Sequence, residues 1–276
     1  MLARASILCF ALLCACAAAR TAPASLPSPA AFDTTKSDSK AIAIVDELVK
    51  TVGGDTAWAT VKQIRWHHVV TVDGKNIVDA DHAWDRWNGR HQFIKIQGDS
   101  KAKAMYELYG NVAAGFILRP NGHEEIATSQ DKTKMIQEAR VRWAEDSYAL
   151  CMPFKLKDPG VHLSFVEERP AEGSTEPAYD VVKVTFDPGV GPTAGDVYYV
   201  VVDKATHLID STEIVAEGKP DTQRIGYKWS DWVTVAGLKF STSRQNIGYQ
   251  GEKIHVEDIQ VDASPDDDLF IPVVQE

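Results

Sequence analysis

From Val61 onward the sequence alternates apolar and polar residues at period two in stretch after stretch, and only two intervals in the chain carry the 3.6-residue period of a helix. In residues 62–72, Ile64, Trp66, Val70 and Val72 share one face, interrupted only by His68. Further strands are predicted at 77–87, 90–96, 103–109 and 115–119, divided by the turn signals Asp73-Gly74-Lys75-Asn76, Asn88-Gly89 and Gly98-Asp99. The pattern resumes at 161–167, 178–186, 197–203, 207–216, 223–235, 238–247 and 253–262, with hairpin turns at Asp203-Lys204-Ala205-Thr206 and Val235-Ala236-Gly237. About eleven or twelve antiparallel strands of this length cannot form one flat open sheet without curling. The expected fold is therefore mainly β with two helices (α+β): a strongly curved antiparallel sheet, or incomplete β-barrel, with the helices covering its concave face.

The first helix is predicted over 39–52, where Ala41, Val45, Leu48 and Val52 fall at helical spacing, Ile42 and Val49 widen the stripe, and Gly53-Gly54 closes it. The second is predicted over 131–150. Ile136, Ala139, Trp143 and Leu150 make a narrow stripe there, in a charged surround that includes Arg142, Glu145 and Asp146, and Pro153 is expected to end the helix. No internal repeat and no composition break follow residue 40, so residues 39–276 are expected to form one domain.

Residues 1–19 have the layout of a secretory signal peptide: Arg4, an apolar run from Ile7 to Leu13, then small residues. That run is too short to span a bilayer. Leu13-Cys14-Ala15-Cys16 resembles the bacterial lipobox, which implies diacylglycerol on Cys16; the alternative is ordinary cleavage after Ala17 or Ala19. Residues 20–38, rich in Pro, Ala, Ser and Thr and without a period, read as a flexible tether of the kind that holds a domain off a membrane surface. Ala17 stands where an aspartate retains many lipoproteins at the inner membrane, so the expected location is the periplasm, anchored to the outer membrane.

Of four cysteines only Cys151 lies in the folded part, so no disulfide framework is expected. It sits in an apolar run and reads as a small buried hydrophobe rather than a nucleophile. Lys and Arg number 29 against 39 Asp and Glu, a formal charge of −10, and no basic cluster interrupts the excess; nucleic acid is excluded as a partner.

The motif search assigns no catalytic residue, no metal and no cofactor. Gly-x-Ser-x-Gly and His-Glu-x-x-His do not occur, and the glycines of 189–195 surround Pro192 in a loop, not a strand-to-helix turn. His67 and His68 point to opposite strand faces and cannot chelate one metal without a bulge. Asp79, Asp81 and Asp85 share a strand face, the pattern of a hard-cation site or, as favoured, of the strand's wet side; His82 and His91 flank a turn, the pattern of a pair meeting across the hairpin or, as favoured, of surface residues; Asp266-Asp267-Asp268 reads as solvated charge.

Three pieces of the second half carry a resemblance. They are Tyr198-Tyr-Val-Val-Val-Asp203-Lys-Ala-Thr206-His-Leu-Ile209, Gly226-Tyr-Lys-Trp-Ser-Asp-Trp232 followed by Val235-Ala-Gly-Leu-Lys-Phe240, and Asp266-Asp-Asp-Leu-Phe-Ile-Pro272. With the helix, meander, helix, meander order, the chain resembles the LolA/LolB-like superfamily of outer-membrane lipoprotein-sorting-protein-like lipoproteins over residues 40–272. The resemblance implies a half-barrel whose cavity binds acyl chains. Its expected ligand-binding residues are Trp66, Val70, Trp84, Phe93, Phe116, Trp143, Val182, Val184 and Phe186. The expected function is a non-enzymatic periplasmic lipoprotein that carries a lipid acyl chain or other apolar ligand and meets the membrane through its lipid anchor. Two alternatives stay open: a secreted hydrolase using an acid/base pair such as His82 and Asp79 in the concave face, and an envelope module that presents its sheet edge to another protein.

Overall fold

The computed structural model describes residues 31–121, 123–190 and 195–270. The chain enters through α1 (Ser39–Thr51) and α2 (Gly54–Thr60), then runs as a meander through β1 (Gln63–Val72), β2 (Lys75–Asp85), β3 (Arg90–Gln97), β4 (Ser100–Glu107), β5 (Ala113–Leu118) and β6 (Glu124–Ile126). The long helix α3 (Ser129–Lys155) follows. A second meander takes β7 (Val161–Pro170), β8 (Pro177–Phe186), β9 (Val197–Asp203), β10 (Ile209–Val215), β11 (Ile225–Val235), β12 (Leu238–Asn246) and β13 (Glu252–Asp262). Pairing of β1 with β13 fuses the two meanders into one 13-stranded antiparallel sheet, ordered β6-β5-β4-β3-β2-β1-β13-β12-β11-β10-β9-β8-β7. The sheet is open, with β6 and β7 at its edges.

Its curvature follows from the connection. The 27-residue α3 leaves one edge and delivers the chain to the other, and at 1.5 Å per residue it is about 40 Å long. Thirteen strands laid flat at about 4.8 Å spacing would span roughly 58 Å. Curling brings the edges within reach of the helix ends and leaves all three helices in the concavity. Thr128 starts α3: its Oγ1 accepts the Asp131 N–H at 3.2 Å, and its hydroxyl donates to Asp131 Oδ2 at 2.7 Å. The buried stripe of α1 is Ala41, Val45, Leu48 and Val49. Trp58 of α2 stacks on Phe154 of α3 with ring centroids 4.5 Å apart, and Phe154 in turn meets Phe240 of β12 at 5.7 Å.

The expected curved sheet with helices on its concave side is the fold observed. Among the α-helices and strands, two are additional to those expected. At 7 residues, α2 is too short to display a helical period, and only Trp58 of it is buried; β6 is a three-residue edge strand. Pro153 does not end α3, which continues to Lys155. In the last turn a proline removes only its own bond to the carbonyl four residues back, here Ala149, and that oxygen accepts from Arg244 Nη2 at 2.5 Å instead.

The signal segment, Cys16 and most of the tether lie outside the described residues. The tether's last residues are docked on β7: the Asp38 N–H donates to Leu163 O at 2.8 Å, Leu163 N–H to Ser37 Oγ at 2.9 Å, and Phe165 N–H to Asp38 Oδ2 at 2.9 Å. No helix among the described residues is long and apolar enough to cross a membrane.

Gly53, between α1 and α2, has φ +126°, and a Cβ there would stand 2.7 Å from Gly237 O in the β11–β12 turn. Gly54 also has positive φ, at +84°, but with open space around it. Gly53→Ala is therefore expected to lower stability by about 2–3 kcal/mol and Gly54→Ala by about 1 kcal/mol. Urea denaturation monitored by tryptophan emission checks this; equal effects would remove the helix–turn contact as the cause.

Candidate functional site

Arg142, Glu145, Asp146, Ala149 and Met152 lie at helical spacing along one face of α3, and that face looks onto the concave sheet. Opposite stand the inward residues of the strands, among them His68 and Val70 of β1, Ile214 of β10, Trp229 of β11, Arg244 of β12 and Ile254 of β13. Between helix and sheet they enclose a cavity of about 350 Å³, with Tyr198 and Tyr227 on its walls.

One side of the cavity is a buried polar network centred on Asp146, which is 1% exposed. Arg142 pairs with its carboxylate from one turn earlier, His68 Nε2 lies 3.3 Å from Oδ1, and His82 Nε2 lies 3.2 Å from Oδ2. Burial alone would raise the carboxyl of Asp146; His68, His82 and Arg142 outweigh it and hold the pKa down at about 2. Burial lowers His68 to about 3 against the pull of Asp146. His68 is thus neutral at pH 7, donating from Nε2 and leaving Nδ1, which has no partner, as a bare acceptor.

The network continues away from the cavity. His82 Nδ1 lies 3.2 Å from His91 Nε2, His91 Nδ1 lies 3.0 Å from the Tyr106 hydroxyl, and that hydroxyl donates to Ala139 O at 2.9 Å. The four contacts from Asp146 to Ala139 run between two acceptors and need four protons, while two neutral imidazoles and a hydroxyl supply three. Burial lowers the pKa of both rings. One of the four contacts is therefore left without a proton.

The cavity's other side holds Arg244, 2% exposed. Its guanidinium lies over the Trp229 ring at 3.9 Å from the centroid and donates to Ala149 O at 2.5 Å and Ser241 O at 3.4 Å. No carboxylate of the described residues is within ion-pair distance of it, and its Nε–H has no partner. Burial lowers its pKa to about 9, so it remains a cation at neutral pH. The Tyr148 hydroxyl on the same wall is also buried and unpartnered. Each such orphaned group costs on the order of 1–3 kcal/mol.

Of the expected ligand-binding residues, Val70 lines this cavity. The others are packed elsewhere. Trp66 stacks on the His82 ring at 4.4 Å, Trp84 and Trp143 meet edge to face at 5.7 Å, and Val182 and Val184 are wholly buried in the main core. Phe186 meets Tyr148 edge-on at 6.0 Å at the margin of that core. Phe93 belongs to a smaller cluster with Tyr106 and Ala139, and Phe116 is buried beneath Lys103.

Several sequence expectations need correction. His82 and His91 are not surface residues but meet in the interior, because the β2–β3 hairpin places them diagonally on its concave face. Asp85 is buried too, accepting from the backbone of Trp87 and Asn88 and from Arg90. Asp79 cannot serve His82, since it lies on the opposite strand face with Asp81, where both hold His67 at 3.4 and 2.7 Å. The carboxylate that His82 meets is Asp146, which the helical stripe contains: it lies three residues after Trp143 and four before Leu150. Arg244 was legible by the same logic, because the inward parity of Leu238 and Phe240 reaches it. Cys151 is wholly buried, as expected, and burial pushes its thiol up to about 12.

No protein-family model and no curated protein matches the chain. Solved structures do. One is a DUF1329 family protein from Desulfovibrio piger, 14% identical at a TM-score of 0.49, covering 84% of this chain and 97% of that one. Another is a LolA superfamily protein from Nitrosomonas europaea, 8% identical at a TM-score of 0.48, with coverage of 84% and 97%. A third is a domain from Vibrio parahaemolyticus described as an outer membrane lipoprotein-sorting protein, 9% identical at a TM-score of 0.45, with coverage of 84% and 96%. Each of these likenesses is one of shape, at a TM-score below 0.5.

Between pH 6.5 and about 3 the unfolded chain binds a proton at His68 and the folded protein does not. Stability therefore rises with pH across that window, by up to about 1.4 kcal/mol per pH unit for this one group. His68→Gln keeps a donor for Asp146 and does not titrate. It is expected to reduce the proton uptake on unfolding at pH 5 by about one per molecule, measured from denaturation midpoints across pH; an unchanged slope would mean that His68 is already charged in the fold.

Proposed function

We propose that the protein is a non-enzymatic binding protein that holds one apolar chain between α3 and the concave face of its sheet, and that it works in the periplasm, tethered to the outer membrane through Cys16. The observation that carries this reading is the cavity of about 350 Å³, walled largely by aliphatic and aromatic side chains where a packed core would otherwise be continuous. At about 30 Å³ per water-sized unit the space holds roughly a dozen non-hydrogen atoms. That suits a single medium-length chain and not the several acyl chains of a whole lipoprotein anchor. Ten buried methylenes contribute about 8 kcal/mol, comparable to the cost of association. Affinity should therefore be modest, which suits a protein that must release its ligand.

The hydrolase alternative loses its proposed pair, since His82 and Asp79 occupy opposite strand faces. Cys151, protonated and wholly buried, offers no nucleophile. The lipobox-like Leu13-Cys14-Ala15-Cys16 and the spacer after it support the anchor.

Dodecanol titrated into the purified protein is expected to change the emission of Trp229 saturably, and Ile254→Trp, which fills the cavity, to weaken binding at least about tenfold. Undiminished affinity in the filled variant would place the ligand elsewhere. For the anchor, Cys16→Ser should move the protein from the membrane to the soluble fraction; a wild-type protein already soluble after fractionation would refute it.

A further inference from the structure

The cavity walls carry more charge than an apolar ligand needs, and the charges are unevenly satisfied. The wall carboxylates are held. Glu145 pairs with Arg142 at 3.0 Å, Asp146 with Arg142 and His68, and Glu252 accepts from the Tyr227 hydroxyl at 3.0 Å and from Asn246 Nδ2 at 2.6 Å. Asp196, also on the wall, accepts the Glu217 N–H at 2.8 Å. Arg142 is spent on its two carboxylates. Arg244 is the exception: among the described residues, the partners of this buried guanidinium are two neutral carbonyls and the face of Trp229.

A guanidinium has five N–H groups; two are engaged by Ser241 O and Ala149 O, which leaves three. The Nε–H is among the three, buried and without a partner. The side chain cannot swing out to find one, because Trp229 lies beneath it, with the Trp229 indole N–H itself donating to Thr212 Oγ1 at 3.1 Å, while the α3 carbonyl holds its tip. A fixed, desolvated fork in the wall of a cavity, with no counterion among the described residues, is complementary to a bidentate oxyanion. The Tyr148 hydroxyl, from a cavity-lining residue of α3, is also buried and without a partner.

Resting on the binding function proposed above, we propose that the ligand is an anionic amphiphile: a single medium-length chain whose terminal oxyanion, a carboxylate or a phosphate monoester, pairs with Arg244 while its tail lies against Val70, Ile214 and Ile254. The tail gives most of the affinity and Arg244 selects the head.

Four ligands with one chain length separate the possibilities: dodecanoate, dodecyl phosphate, dodecanol and dodecylamine, each titrated into the purified full chain with Trp229 emission and calorimetry as readouts. An anionic head should bind roughly 10–100-fold tighter than dodecanol, the range expected for a hydrogen-bonded charge pair, and the tighter of the two anions names the head. Arg244→Met keeps the bulk and removes the charge. It should abolish that preference while leaving dodecanol within about threefold; it orphans no counter-charge, and its cost to the empty protein is confined to the Ala149 and Ser241 carbonyls that lose their donor. Equal binding of dodecanol and dodecanoate would overturn the head assignment and leave the apolar cavity standing; preference for dodecylamine would overturn it in favour of the wall carboxylates. Failure of all four would refute the cavity itself. Should Arg244→Met not fold, the head-group series on the wild-type protein decides alone.

Discussion

One helix joins the two edges of this sheet, and the concavity exists because that helix must cross it. The meander before α3 ends at β6 and the meander after it begins at β7, the outermost strands on opposite sides. A flat sheet would leave α3 stretched over a surface wider than itself; a curled one lets it lie along the hollow. The other two helices then close one end of the hollow, where Trp58, Phe154 and Phe240 stack in series. What remains open is the stretch under the middle of α3. It is the stretch where the helix presents Arg142, Glu145, Asp146 and Ala149 in place of large apolar residues.

The polar interior is expensive by the usual measure. A buried carboxylate with a buried arginine and two buried imidazoles gains little net stability over an apolar core of the same shape. Its geometry is directional, however. Asp146 can meet Arg142, His68 and His82 only when α3 has one rotation and β1 and β2 have one register. A sheet with period-two strands slips readily by an even number of residues without exposing its apolar face, and such a network penalises the slip. The same network closes the hydrogen-bond chain to Ala139 O, which ties the first half of α3 to β3 and β4. We infer from this that the buried charges set how the helix sits in the hollow, and that apolar burial holds it there.

Strand after strand was legible because an alternating pattern with turn residues between is a direct record of which face is buried. β9 begins and ends where the period predicts, and β8, β12 and β13 differ by a residue at one end. The pattern fails where it has too few residues to repeat, as in α2 and β6. It also fails for polar residues at inward positions, because polarity reads as exposure. His82, His91, Asp146 and Arg244 all sit at apolar-face spacing, and all are inside. The residues expected to line a ligand cavity show the converse error. Large apolar side chains on the concave face, such as Trp66, Trp84, Val182 and Val184, find one another and fill space. A hollow persists where the helix presents Arg142, Glu145, Asp146 and Ala149 to the sheet, positions that a search for large apolar residues does not select.

Pro153 links these themes. It appears to the sequence reader as a stop, yet in the final turn of α3 its effect is to free one carbonyl, that of Ala149, which faces β12. A free carbonyl in an apolar interior requires a donor. Arg244 provides it, and with Trp229 beneath, the guanidinium is fixed from two sides while its charge stays unneutralised. Leaving a cation in that condition lowers stability, and a neutral donor would satisfy the same carbonyl without a buried charge. The helix-breaking residue, the vacated oxygen and the unpaired arginine thus form one device, in which a local departure from ideal helix chemistry holds a charge ready beside an apolar hollow.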